Sequence, residues 1–280
     1  MSALAPGPSR RYGPSAFGDD LRRFWNLTLT LATTDFKLRY FGSVLGYFWS
    51  LARPLMFFGV LYVVFTQVFR FGEGVEHYPV YLLSSIVLWS FFIETTNGCV
   101  QCLLTREGLL RKMRFPRLVI PLSVALTALF NLGMNFLAVL AFALANGVEV
   151  RWTWLELLGI VVLLGTLAVG IGMLLSALYV RFRDIQPIWE VAAQILFYGS
   201  PILYVAAQYR GLEEEAVTAN PIATLLTQMR RAFIDAGAPS AASAAGGAAK
   251  LLIPLAMIAA VFALGLWFFS REAPRIAENL

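Results

Sequence analysis

Apolar residues in this chain fall in long unbroken runs, not in the one-in-two alternation of a strand or the narrow stripe of a surface helix. Six runs approach the about 20 residues that a helix rising about 1.5 Å per residue needs to cross about 30 Å of hydrocarbon. They are Leu51–Phe71, Tyr78–Cys102, Val119–Ala145, Trp154–Val180, Ile188–Ala206 and Leu251–Phe269. Such runs do not suit a barrel, whose strands alternate between lipid and lumen. The pattern predicts an all-α membrane protein with six transmembrane helices.

The intervening segments carry patterns of their own. From Asp19 to Thr34, Leu21, Phe24, Trp25, Leu31 and Ala32 gather near one helical face, and Arg22, Arg23, Asn26, Thr30 and Thr33 near the other. Asp19 and Asp20 stand where a cap and a favourable first-turn charge are wanted. This predicts an N-terminal amphipathic interface helix on the cytoplasmic face, with Phe24 and Trp25 sunk into the headgroup boundary and Arg22 in water. A plain membrane anchor is the simpler reading of the same residues. In the loop Thr105–Arg117, Leu109, Leu110, Met113 and Phe115 stand among Arg106, Arg111, Lys112, Arg114 and Arg117. Anchoring needs the charges but not the apolar residues, which favours a short helix that docks a partner and ends at Pro116. The loop Arg181–Gln186, with Arg183 and Asp184, is explained by anchoring alone.

On the other side, Gly211–Lys250 is too long for a simple loop. Glu213, Glu214 and Glu215 open it, Asn220-Pro221 supplies a cap and a first helical residue, and helix-compatible sequence runs to about Asp235 before Gly237 and Pro239 stop it. Ile222, Leu225, Leu226, Met229 and Phe233 form an apolar stripe on a piece too short to span. This predicts an external re-entrant helix segment between spans five and six, followed by a flexible Ala-, Ser- and Gly-rich connector over Ala236–Ala249. The chain then divides into residues 1–35, a cytoplasmic tail with the interface helix, and residues 36–280, the six-helix transmembrane domain.

Composition agrees with the pattern. Of 280 residues, 59% are hydrophobic and 14% charged, against about 45–50% and about 25% in soluble domains. The net charge of +5 comes from 22 Lys and Arg against 17 Asp and Glu. Sixteen of those cations fall in one alternating set of loops with both termini, and six in the other. The basic set marks the cytoplasm, so both termini are predicted inside and no nucleic-acid partner is needed to explain the charge. No cleavable secretory signal is read before the first span. Cys99 and Cys102 lack the further ligands a zinc site would need. No phosphate-binding Walker loop, dinucleotide fingerprint, zinc motif or nucleophile elbow occurs, so no catalytic residue, cofactor or metal is assigned and the chain is not read as an enzyme.

A few residues invite chemistry. Glu94 and Glu190 lie inside spans, where ionisable groups are costly; pairing with loop arginines explains them, and a polyprenyl-linked membrane enzyme would need them as an acidic pair. Phe58, Tyr62, Phe65 and Phe69 recur at spacings of 4, 3 and 4 along the first span. Their rings can pack between helices or line a channel and stack on sugar faces. Arg230 and Arg231 can meet phosphates or solvent, and His77 sits in a short external loop.

Several short motifs stand in register with the six-span layout: Arg39-Tyr40-x-x-Ser43-x-Leu45-Gly46-x-x-Trp49 with Pro54, Lys112-x-x-Phe115-Pro116, Arg183-Asp184-Ile185, Ser200-Pro201-Ile202-x-Tyr204, and Asn220-Pro221. From about Phe17 to Phe269 the chain resembles the permease subunits of ABC-2 type exporters of O-antigen, capsule and teichoic-acid polymers. The resemblance implies a homodimer in the cytoplasmic (inner) membrane that forms a channel for a lipid-linked glycan. It implies two copies of a separate ATPase subunit, which bring the ATP and magnesium. Coupling to them would fall to Arg106, Leu109, Leu110, Arg111, Lys112, Met113, Arg114, Phe115, Arg183 and Asp184. A drug or small-lipid exporter would share the same architecture.

Overall fold

A computed structural model describes residues 21–40, 44–68, 74–112, 116–205 and 213–279. Among these residues the regular structure is entirely helical, with no strands. Helix α1 (Leu21–Tyr40) runs past the amphipathic stretch expected to end at Thr34. Phe24, Thr28 and Ala32 recur every four residues and are buried, whereas Leu21 is exposed and Trp25 half-exposed. The buried face lies along α6 (Val119–Ala145), where the Thr127 hydroxyl donates to the Ala32 carbonyl at 3.3 Å and Phe36 meets Phe130 edge-on. Asp19 and Asp20 lie outside the described residues.

Among the described residues five helices are long and apolar enough to cross a membrane: Phe48–Val68, Tyr78–Val100, Val119–Ala145, Trp152–Arg181 and Ala248–Glu272. The first combines α2 (Val44–Val63) with a π-helical turn at Val64–Val68 and carries Pro54 in its interior. The second is α3 (Tyr78–Val100), the most enclosed of the five, with nearly every residue from Tyr78 to Leu88 buried. Two short helices come next, α4 (Cys102–Thr105) and α5 (Glu107–Lys112). Helix α7 (Glu156–Arg181) packs on α3 and, closely, on α12 (Leu252–Asn279). A Cβ added at Gly170 would stand 2.8 Å from the Phe262 Cα, and one at Gly265 would collide with the Gly170 carbonyl. Small residues at both positions let the two backbones touch, the usual way to gain contact where lipid offers no hydrophobic drive.

The run expected as the fifth span, Ile188–Ala206, is realised as α8 (Ile185–Gly199), whose 15 residues extend about 22 Å at about 1.5 Å per residue. It stops at Ser200-Pro201, where proline removes a donor and the backbone turns extended. The ends of this segment are tied to the two ends of α3. Gln101, just past the end of α3, donates to Gln186 near the α8 start. At the opposite end of α3 the Tyr81 hydroxyl donates to the Pro201 carbonyl and the Tyr78 hydroxyl to the Leu203 carbonyl at 2.6 Å.

Beyond α8 come α9 (Glu213–Ala219), α10 (Pro221–Met229) with a π-helical turn at Arg230–Ile234, and α11 (Ala241–Ala244). Ile222, Leu225 and Leu226 border one small gap with Leu88, Trp89 and Phe92 of α3 and Leu164 of α7. Further along, Gln228 bonds Glu156 at 2.7 Å, Thr153 donates to the Ala232 carbonyl at 2.6 Å, and Phe233 packs on Trp154 at 4.8 Å. Leu164 lies about two turns inside α7 and Thr153 just before it, so α10 runs from mid-depth toward the rim. The stretch Ala236–Ala249, expected as a flexible connector, is instead folded. Ser240 caps α11, and Ala238, Ala241, Ala244 and Ala245 are buried; small side chains here serve close packing, a use that composition does not distinguish from flexibility.

Candidate functional site

A recess of about 760 Å³ lies between α1, α2, α3 and α6. Its α2 wall is made by Trp49, Arg53 and Phe57, one residue per helical turn, with Gly46, Ser50 and Pro54 beside them. Pro54 leaves its turn short of one hydrogen bond, and Gly46 adds no side chain to the lining. Across from this wall stand Arg39 and Tyr40 of α1, Glu94 and Ser90 of α3, and Asn131 and Asn135 of α6.

Four of these side chains form one polar chain. Tyr40 donates to the Asn131 oxygen at 2.7 Å, the Asn131 amide donates to Glu94 Oε1 at 2.6 Å, and Arg39 pairs with the same carboxylate oxygen. Burial works against the Arg39 charge, but the Glu94 carboxylate, with a smaller contribution from Tyr40, raises its pKa above the ordinary arginine value. Pairing within the protein therefore accounts for Glu94. Glu190 is exposed, accepts from Gln186 at 3.1 Å and does not line this cavity. The two acids face different partners.

Of the sequence-predicted aromatic stripe, Phe58 stacks on Tyr62 at 5.6 Å and meets Phe142 of α6 edge-on, and Phe65 is half-buried against the same core. Phe69 lies outside the described residues. None of these three described rings lines the cavity. The rings that do, Trp49 and Phe57, lie on the neighbouring face of α2, and Phe57 leads on to Phe197 of α8 and Trp89 of α3. The signal that could have found this face is Arg53, a cation one turn from Trp49 and from Phe57 inside an apolar run.

A second polar cluster joins α1 to the α4–α5 segment. Arg106, at the break between α4 and α5, pairs with Asp35 of α1 and donates to the Ser123 hydroxyl of α6 at 3.0 Å. Its side chain is only 17% exposed and faces inward. The backbone carbonyl of Arg106 accepts from Leu109 and Leu110 at 3.0 Å, which starts α5. Leu109 and Leu110 are half-buried against the same apolar group as Phe24 and Leu103. Arg111 and Lys112 end α5, and only their backbone is described; Met113, Arg114 and Phe115 lie outside the described residues altogether. Arg183 is exposed and lies over the Tyr179 ring at 5.2 Å, and exposed Asp184 precedes α8. Arg22 is exposed on the outer face of α1.

On the opposite rim, Arg230 pairs with Asp235 at 3.4 Å with both side chains mostly buried, and Arg231 is exposed. Asn220 does two jobs. Its oxygen accepts from the Ile222 amide at 2.9 Å, and its nitrogen donates to Ser200 at 2.9 Å and to the Gly199 carbonyl at 3.3 Å, so it caps α10 and holds the end of α8. His77 precedes α3 in the left-handed conformation, φ 49°. Among the described residues no cluster of three His, Cys, Asp or Glu offers a metal site.

The ABC-2 type transporter family matches this chain over residues 26–234. The chain is 29% identical over 270 residues to the O-antigen export system permease protein RfbA of Myxococcus xanthus, covering 93% of this chain and 98% of that protein. Two proteins of the same name from Klebsiella pneumoniae are each 28% identical over 77% of this chain and 83% of theirs.

Proposed function

Because the chain belongs to the ABC-2 type transporter family, we propose that it is the channel-forming permease of an exporter that moves a lipid-linked polysaccharide of the O-antigen kind outward across the cytoplasmic membrane. The similarity to a named O-antigen export permease along nearly the whole of both chains carries this reading. The cavity supports it chemically. Aromatic rings, amides and arginines around one recess suit a ligand with sugar faces, hydroxyls and an anionic linkage.

In this reading two copies assemble, and two separate ATPase subunits dock below and power transport. The docking surface comprises α5 with the residues up to Phe115, the exposed Arg183 and Asp184, and the cytoplasmic side of α1. The segment from Gln186 to Leu203 makes the sixth crossing, as its bonds to both ends of α3 favour. Helices α9 and α10 form a re-entrant hairpin with Asn220 at its inner tip, and both termini are cytoplasmic.

The test is genetic and chemical. In cells lacking this chain, the finished lipid-linked polymer should accumulate on the cytoplasmic side and vanish from the surface, and a plasmid copy should restore it. The purified chain alone should hydrolyse no ATP. Normal surface polysaccharide in the deletion strain overturns the assignment.

A further inference from the structure

We propose that Arg53 and Arg39 form a subsite for the phosphate headgroup of an isoprenyl-linked carrier, and that Glu94 is an exchangeable counter-ion occupying Arg39 while the subsite is empty. The identity of the carrier rests on the exporter reading; the counter-ion role of Glu94 rests on the geometry alone.

Arg53 is exposed near the start of the apolar run Phe48–Val68, where its guanidinium reaches past the apolar residues and can take an anionic partner. No described residue forms an ion pair with it, and it lines the cavity. Arg39 lines the same cavity but is engaged by Glu94. Two guanidinium groups and one carboxylate leave the walls with one uncompensated positive charge, and a phosphate is the small polar group that a pair of planar forks recognises best.

Glu94 is built to let go. The Asn131 amide holds its carboxylate at 2.6 Å, and Asn131 is itself fixed by Tyr40 at 2.7 Å. When a phosphate takes Arg39, the acid keeps a hydrogen bond instead of being stranded. Tight pairing on one side and a backing amide on the other are what an exchange of anions requires. A structural ion pair would need only the first.

The remaining lining suits the sugar attached to the phosphate of such a carrier. Asn135 Oδ1 is shielded from solvent and accepts no hydrogen bond from a described residue, so it is free to take a sugar hydroxyl. Trp49 and Phe57 offer flat faces on the opposite wall. A volume of about 760 Å³ admits a diphosphate with one sugar and leaves the isoprenyl tail to the lipid.

The experiment is native mass spectrometry of the full-length chain released from lipid nanodiscs, which reads bound lipid by mass. The probes are a long-chain isoprenyl diphosphate, the isoprenyl alcohol of equal length, phosphatidylglycerol and inorganic diphosphate. The wild type should retain the isoprenyl diphosphate at least about tenfold better than the alcohol, the difference that one charge-assisted contact makes. It should also favour it over phosphatidylglycerol, and excess inorganic diphosphate should compete for the two guanidinium groups and lower its retention.

Arg53→Gln and Arg39→Gln should each lower retention about tenfold. Arg53→Lys should recover part of the loss, which separates lost charge from lost folding. Glu94→Gln keeps an acceptor for Asn131 but frees Arg39, and should raise retention about three- to tenfold, the effect of removing one competing charge. Equal retention of the alcohol or of phosphatidylglycerol overturns the subsite, as does retention that excess inorganic diphosphate leaves unchanged. Unchanged or weaker retention in Glu94→Gln overturns the counter-ion role. The exporter reading fails separately, by normal surface polysaccharide in a deletion strain that still makes a chain-binding diphosphate lipid.

Discussion

At Arg106 a side chain that sequence places among docking charges does its work inward. Its guanidinium joins Asp35 of α1 to Ser123 near the start of α6, while its carbonyl starts α5. The pair is largely shielded, with side chains 17% and 35% exposed, so removing one partner leaves a charge with little water to solvate it. Arg106→Gln and Asp35→Asn are each expected to lower stability by about 1–3 kcal/mol. The double variant should cost less than the sum of the two. Thermal unfolding in detergent measures all three, and strict additivity would show that the residues do not act as a pair. Basic character in that loop was legible in the sequence, but which arginine turns inward was not, because Asp35 is 71 residues away and no local spacing links them. The same limit applies to Glu94, whose partner Arg39 lies 55 residues earlier. Asn220, by contrast, was readable because capping is local, and only its second bond to α8 was hidden. Asn220→Ala should cost about 1–2 kcal/mol, whereas Asn220→Asp keeps the cap, loses the donated bonds to Ser200 and Gly199, and should cost less.

Among the elements, length and continuity of apolar runs settled most boundaries to within a few residues. Tyr78 and Val119 begin their helices where the runs begin, and Ala145 ends one. The failures share a cause. The first span breaks register at a π-helical turn, α8 stops at Ser200-Pro201, and the Ala-rich connector folds. Hydropathy reports how apolar a stretch is, and all of these stretches are apolar; what decides them is the neighbour that takes the freed backbone bonds or fills the space. The α7–α12 seam makes this measurable. Gly170 has no room for a methyl, since its Cβ would meet the backbone of α12 at 2.8 Å, whereas Gly159 on the same helix has nothing within 4 Å. Gly170→Ala must push the helices apart and is expected to destabilise by about 1–3 kcal/mol or more. Gly159→Ala should be neutral or stabilise by up to about 1 kcal/mol, because alanine is the better helix former. Equal melting temperatures for the two variants would mean that the seam is not closely packed.

For the whole molecule, the question that decides function is which side each end faces. The positive-inside expectation puts the basic loops and α1 inside, and the bonds from Gln186 to Gln101 and from Leu203 to Tyr78 carry the α8 segment from one end of α3 to the other. If that segment crosses, α11 lies outside and the α4–α5 loop and α12 C-terminus lie inside. If it does not, α12 must run in the opposite sense and the C-terminus emerges outside. Cysteine labelling separates these cases on little background, because native Cys99 and Cys102 are both buried. Ser243→Cys on α11 and Thr105→Cys on α4 each replace a side chain without a structural partner deep in the core. In intact spheroplasts a membrane-impermeant maleimide should label Ser243→Cys and leave Thr105→Cys untouched until the membrane is opened. A cysteine placed after Leu280 should behave like Thr105→Cys. Labelling of that C-terminal cysteine in sealed cells would remove the sixth crossing. The proposed external hairpin would then lose its side, and the proposed ATPase partner could not reach α12 and the α5 loop together.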